Sequence, residues 1–172
     1  LDIEAVVPFN NSAGAQGFRQ LVTVPGSDIA YAVNDQPEGI WTIDLSGIED
    51  EAFGHLVVDP SVGWLPAPRG IERDKGPNSQ SSVGPAQMVA HPDGRRLLLT
   101  NFNANSLTVY DLGLGPHGQL VAEVPLLGES PYGITLTPDG NHAVIANFAG
   151  EVAESGLAQS TLVIVDVDES SP

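Results

Sequence analysis

The sequence predicts an all-β chain built from repeated units of four short antiparallel strands. Three observations lead to that class. One phrase is written twice, as PAQMVAHPDGRRLLLTNF at 85–102 and PYGITLTPDGNHAVIANF at 131–148. The apolar stretches are strand-length and rich in β-branched residues, and Pro-Gly clusters punctuate them as tight turns do. No stretch sustains a 3.6-residue apolar period, and the Pro and Gly spacing would interrupt a helix wherever one began.

The repeat sets the order of the elements. Pro85 and Pro131, Gly94 and Gly140, and Asn101 and Asn147 are each 46 residues apart. A more diverged copy, GFRQLVTVPGSDIAYAVND, begins at Gly17, and its Pro25, Asn34 and Asp44 lie 67 residues before Pro92, Asn101 and Asp111. In each copy a first strand (RQLVTV, QMVAH, GITLT) runs into a turn, PGS or PDG, in which proline presets φ and glycine accepts a positive φ. A second strand follows (DIAYAVND, RRLLLTNF, NHAVIANF), nearly continuous in apolar character, as expected of a strand covered on both faces. The third strand ends each time on an aspartate (GIWTIDL, SLTVYDL, TLVIVDV), and QLVAEVPLL supplies a fourth in the second copy. GEVAESGLAQ in the last copy reads as an inserted loop.

Four antiparallel strands recurring at about 46 residues match the blade of a β-propeller. The core P-x-G-I-x-x-x-P-D-G-x-x-x-x-x-A-N at 131–147 resembles the YVTN-type repeats of bacterial surface and periplasmic propellers. It also resembles the seven-bladed lactonase-like propellers. The expected layout is a lone outer strand of a preceding blade at 1–12, where LDIEAVVPF is similar to QLVAEVPLL. A blade at 17–60 follows, then a loop insertion at 61–84, a blade at 85–128 and an incomplete blade at 131–172. A closed propeller takes about four to eight blades, so about three blades, opening on Leu1, are expected to be a piece of a longer propeller.

Composition narrows the function. Among 172 residues, 22 acidic side chains against 6 basic ones give a net charge of −16, which repels nucleic acid and anionic lipid. Cysteine is absent, so this sequence has no disulfide, thiolate metal site or cysteine nucleophile. No apolar run reaches the roughly 18 residues of a membrane span. The acidic, Gly- and Pro-rich, lysine-poor profile fits a periplasmic or extracellular protein.

Candidate residues are few. Asn34, Asn101 and Asn147, and likewise Asp44, Asp111 and Asp166, recur at fixed blade positions and read as turn residues bonding local backbone. Of His55, His91, His117 and His142, no two have a metal-ligand spacing. Only His91, in the slot where the next copy has Thr137, reads as a test case. The insertion holds Arg69, Arg73 and Lys75, half of all basic residues, interleaved with Glu72 and Asp74. Loops on a rigid β scaffold are common binding elements, so this segment and His91 are the expected partner contacts. The expected function is a non-catalytic binding or scaffold module without a cofactor. Its partner would be a protein or the remaining blades, and the resemblance implies a redox or cytochrome domain as one form of it. The alternative implied by the resemblance is part of a sugar-lactone hydrolase assisted by a divalent metal.

Overall fold

The computed structural model describes residues 16–36, 38–45, 64–65, 83–114, 118–149 and 160–168. These form eleven strands and no helix. The first sheet holds β1 (Gln16–Thr23), β2 (Ile29–Gln36), β3 (Glu38–Asp44) and β4 (Trp64–Leu65). The second holds β5 (Pro85–Ala90), β6 (Arg96–Asn101), β7 (Ser106–Asp111) and β8 (Gln119–Pro125). The third holds β9 (Glu129–Leu136), β10 (His142–Ala149) and β11 (Thr161–Asp166). Every sheet is an antiparallel meander with its strands in chain order. The all-β repeat of blades is therefore as the sequence predicts. The fourth strand of the first sheet, Trp64–Leu65, pairs with Ile40 and Trp41 from within the 61–84 stretch, so that stretch contributes to the sheet.

Alternation along each strand gives each sheet two apolar faces, and both are needed. Tyr31, Val33 and Ile40 of the first sheet meet Met88, Leu97, Leu99 and Tyr110 of the second in one buried cluster. From the opposite face of the second sheet, Leu98 and Leu107 meet Ala143 and Ile145 of the third. Strand β6 thus alternates between the two seams, which is why five of its six residues are buried. Each leucine taken fully out of water contributes about 1.5–3 kcal/mol relative to an exposed one. The run Leu97-Leu98-Leu99 therefore anchors three sheets at once.

The PDG turns have a second role besides reversing the chain. Gly94 and Gly140 carry φ of +70° and +79°, and a Cβ on either would meet the preceding sheet. At Gly94 it would lie 2.6 Å from the Pro25 carbonyl oxygen, and at Gly140 2.7 Å from His91 Nε2. Each turn is nested against the turn before it, and only glycine gives both the backbone angle and the room.

The repeated asparagines correct the expectation. Asn34, Asn101 and Asn147 are buried strand residues, exposed by at most 2%. Asn101 Nδ2 donates to Ser106 Oγ and Thr108 Oγ1 on the neighbouring strand, at 2.9 and 2.7 Å. Asn147 Nδ2 donates to Thr161 Oγ1 and to the Leu127 carbonyl, which lies on the segment joining the second and third sheets. The Asn101 and Asn147 amides reach neighbouring strands and segments because the strand period turns them into the sheet stack rather than towards the turn. Asp111 and Asp166 do close local turns, accepting from the backbone N–H of Gly113 and Asp168.

Gly140→Ala is expected to destabilise the protein by about 1–3 kcal/mol, the cost of a left-handed non-glycine residue plus the contact with His91. Gly133→Ala, whose Cβ would sit an ordinary 3.6 Å from the nearest atom, is expected to stay within about 0.5 kcal/mol. Urea unfolding followed by far-ultraviolet circular dichroism compares the two. Equal midpoints would refute the nested-turn account.

Candidate functional site

The stack has two rims, and polar chemistry gathers differently on each. One rim carries the β5–β6 and β9–β10 turns and the ends of β7 and β11. There the second and third sheets are joined by a charged cluster. His91, buried at the end of β5, places Nε2 3.0 Å from the Gly140 carbonyl oxygen. A carbonyl only accepts, so in that contact Nε2 is the donor. Nδ1 accepts from the Asp93 backbone N–H at 3.2 Å and faces Asp93 Oδ2 at 2.8 Å.

Arg96 completes the cluster. Its Nε donates to Asp93 Oδ2 at 2.7 Å, Nη1 donates to the Val167 carbonyl of the third sheet at 2.7 Å, and Nη2 lies 2.9 Å from His91 Nε2 and 3.1 Å from Nδ1. The side chain thus reaches from the turn that precedes it to the strand end of the next sheet. Partial burial works to raise the Asp93 carboxyl. The Arg95 and Arg96 N–H groups, the Arg96 guanidinium and His91 together outweigh it and hold Asp93 at about 2. Beside it Arg95 grips Asp111 with Nε and Nη2, at 2.9 and 2.7 Å. That guanidinium, with the Gly113 N–H, holds Asp111 below the usual carboxylate range.

Arg96, Asp111, Asp166 and Asp168 form the polar lip of a cleft of about 310 Å³ between the second and third sheets, walled by Val109, Val121, Val124, Val165 and Val167. The cleft follows the outer side of β11, which has only β10 as a neighbour among the described residues.

The opposite rim carries the β6–β7 turn and the segment leading into β9. Asn105, at a φ of +55°, clamps that segment by donating from Nδ2 to the Gly128 carbonyl and accepting the Ser130 N–H at Oδ1. Next to the clamp runs an aromatic ledge. Phe102 meets Tyr132 edge-on at 6.3 Å and Phe148 at 6.4 Å, and the last two are exposed. The ledge is the part of this rim best suited to a partner, since aromatic rings supply large contact area at low entropic cost.

Of the residues singled out from sequence, Arg69, Glu72, Arg73, Asp74 and Lys75 lie outside the described residues, as do His55 and His117. His91 is described, and the seam occupies it: buried, with both ring nitrogens engaged, it serves the contact between sheets rather than a surface partner. Sequence reasoning missed Arg95 and Arg96. Their signal was available, because two of only six basic residues directly follow a PDG turn. It also missed the ledge, although Phe102 and Phe148 close the two copies of the repeated phrase. Among the described residues, no group of three or more His, Cys, Asp or Glu side chains could hold a metal ion. No helix among them is long and apolar enough to cross a membrane.

Sheets of this make, stacked face to face in chain order, are β-propeller blades, and known structures bear out that class. The hydrazine synthase of Kuenenia stuttgartiensis superposes with a TM-score of 0.61 at 17% identity, over 96% of this chain and 36% of that one. A periplasmic gluconolactonase of Pseudomonas aeruginosa gives 0.60 at 15% identity, over 90% of this chain and 42% of that one. A protein of Bacteroides fragilis described as a 6-phosphogluconolactonase gives 0.53 at 16% identity, over 90% and 40%. The chain thus spans less than half the length of these structures. No family model matches the sequence, and no curated protein matches it significantly.

The Asp93 cluster has a defined pH signature. A carboxyl held at about 2 in the folded protein, against an ordinary 3.8, contributes stability that is complete above about pH 4 and is lost as pH falls towards 2. Asp93→Asn is therefore expected to lower stability at neutral pH and to flatten the loss between pH 4 and 2. Unfolding measured across that range checks it, and an unchanged slope would remove Asp93 from the account.

Proposed function

We propose that this chain is part of a non-catalytic propeller of the YVTN-repeat type that acts outside the cytoplasm as a binding or scaffold module. One observation carries the reading. The titratable groups that the structure brings together, His91 and Asp93 with Arg96 and Asp111 with Arg95, are engaged with one another in holding turns and sheets. A general base must be free to take a proton from substrate near the operating pH, and a carboxylate gripped by arginine is unsuited to that. What the rims offer instead is contact surface, namely the ledge of Phe102, Tyr132 and Phe148. We add the segment with Arg69, Glu72, Arg73, Asp74 and Lys75, whose basic groups would orient an acidic partner against the −16 background. The partner in this reading is a protein, the remaining blades or a redox domain, and no cofactor is needed. The resemblance to surface and periplasmic repeats, the acidic composition and the periplasmic neighbour support an extracytoplasmic location.

A second reading draws on two of the structural neighbours, which are described as lactonases. In it the chain is part of a sugar-lactone hydrolase, and a divalent metal site is completed by further blades.

A panel of sugar lactones, assayed on the full-length protein with and without added divalent cations, separates the two. No turnover above the uncatalysed rate is expected. Turnover that a chelator abolishes would overturn the binding-module reading.

A further inference from the structure

We propose that the rings of Phe102, Tyr132 and Phe148 form a docking site for an arginine side chain on a basic segment of a protein partner. The proposal rests on the binding-module reading and deepens it, by giving the partner at this rim a charge and a chemical group. The first observation is the charge around the ledge. Residues 97–172 include nine acidic side chains and no lysine or arginine. Of the described cations, Arg95 and Arg96 are held on the opposite rim by Asp111 and Asp93, and Arg19 belongs to the first sheet. Glu129 is exposed and pairs with Ala149, the neighbour of Phe148, which puts a carboxylate at the same strand end. Such a surface attracts a basic segment and repels an acidic one.

The second observation is that the rings stand on braced backbone. The Phe102 N–H donates to the Gly84 carbonyl at 2.7 Å, and the Asn103 and Ala104 N–H groups both reach the Val83 carbonyl at 3.1 Å. Thr100 Oγ1 donates to the Tyr132 carbonyl at 2.8 Å, and the Asn105 clamp fixes the chain that leads into β9. Phe148 follows Asn147, whose amide is tied to Leu127 and Thr161. Phe102 contacts both other rings, with its plane 90° from that of Tyr132 and 54° from that of Phe148. A cation is attracted from within about 6 Å of a ring centroid, so one seated on this cluster can draw on more than one ring. Tyr132 is 40% and Phe148 75% exposed. The site is thus open and fixed before the partner arrives, which lowers the cost of binding.

Arginine suits such a site better than lysine. Its guanidinium is flat, stacks on aromatic faces and is more weakly hydrated than an ammonium group. A neutral apolar partner would use the rings as contact area alone and gain nothing from the acidic surroundings.

The test titrates three glycine-spaced peptides, carrying arginine, lysine or citrulline at the same positions, into the 172-residue chain. Citrulline keeps the shape of arginine without its charge. Salt of about 0.15 M screens charges farther apart than about 8 Å, which suppresses general attraction to the acidic chain. Binding is followed by nuclear magnetic resonance of the aromatic side chains. The arginine peptide is expected to shift the Tyr132 and Phe148 rings and to bind at least about threefold more tightly than the lysine peptide, with citrulline weaker still. Phe148→Leu and Tyr132→Leu keep apolar character and net charge but remove a ring, and each should weaken the arginine peptide about threefold. Leu114→Ala, on the opposite rim, should leave its affinity unchanged. Four results would overturn the proposal: lysine binding as tightly as arginine, citrulline binding as tightly as arginine, leucine variants binding as the parent does, or no binding at millimolar peptide. Should Tyr132→Leu fail to fold, Phe148→Leu and the citrulline peptide decide. Each of the four leaves the binding-module reading standing, because lactone turnover tests that reading separately.

Discussion

The structure depends on one constraint: a strand with apolar residues on both faces must be covered on both faces. Arg96–Asn101 states it most sharply, since its alternate leucines belong to different seams. A single sheet cannot satisfy such a strand, and sheets stacked at a fixed repeat can. The nested glycine turns, the amide donors of Asn101 and Asn147 and the arginine that crosses to the next sheet all follow, because each is a way of bringing neighbouring strands and sheets close. The chain is thus quasi-one-dimensional, each sheet answering to the one before and the one after.

That constraint also divides the polar residues by rim. On the side of the PDG turns, charge is used for closure: Asp93, Arg96 and His91 form a short circuit of hydrogen bonds that ends on the third sheet's backbone. On the other side, closure is uncharged, made by the Asn105 clamp and by Asn147 reaching Leu127. The aromatic rings sit on this second rim. A strongly acidic protein can in this way present aromatic rings on one rim while Arg95 and Arg96 hold the opposite one.

Much of the fold was legible because its signals are local. Proline and glycine at fixed offsets mark turns, and the spacing of Pro, Gly and Asn gives the period without any partner being known. The site was less legible because its contacts join copies rather than neighbours. His91 reaches Gly140 across 49 residues, and nothing in the PDG turn announces that it will face a histidine. The asparagines misled for the same reason: a residue at a strand end reads as a turn residue until the hydroxyls of Ser106, Thr108 and Thr161 appear beside it. Arg95 and Arg96 were visible as rare cations, but their arrangement required the strand end of another sheet.

The pairing of Trp41 with Trp64 in the first sheet has a spectroscopic consequence. These are the chain's only two tryptophans, so intrinsic indole emission originates entirely at one end of the stack. A quenching or red-shift curve would therefore follow the first sheet and be blind to the third. Because sheets in such arrays can separate one at a time, emission and backbone dichroism need not agree on a midpoint. The gap between them would measure how strongly the middle sheet couples its two neighbours.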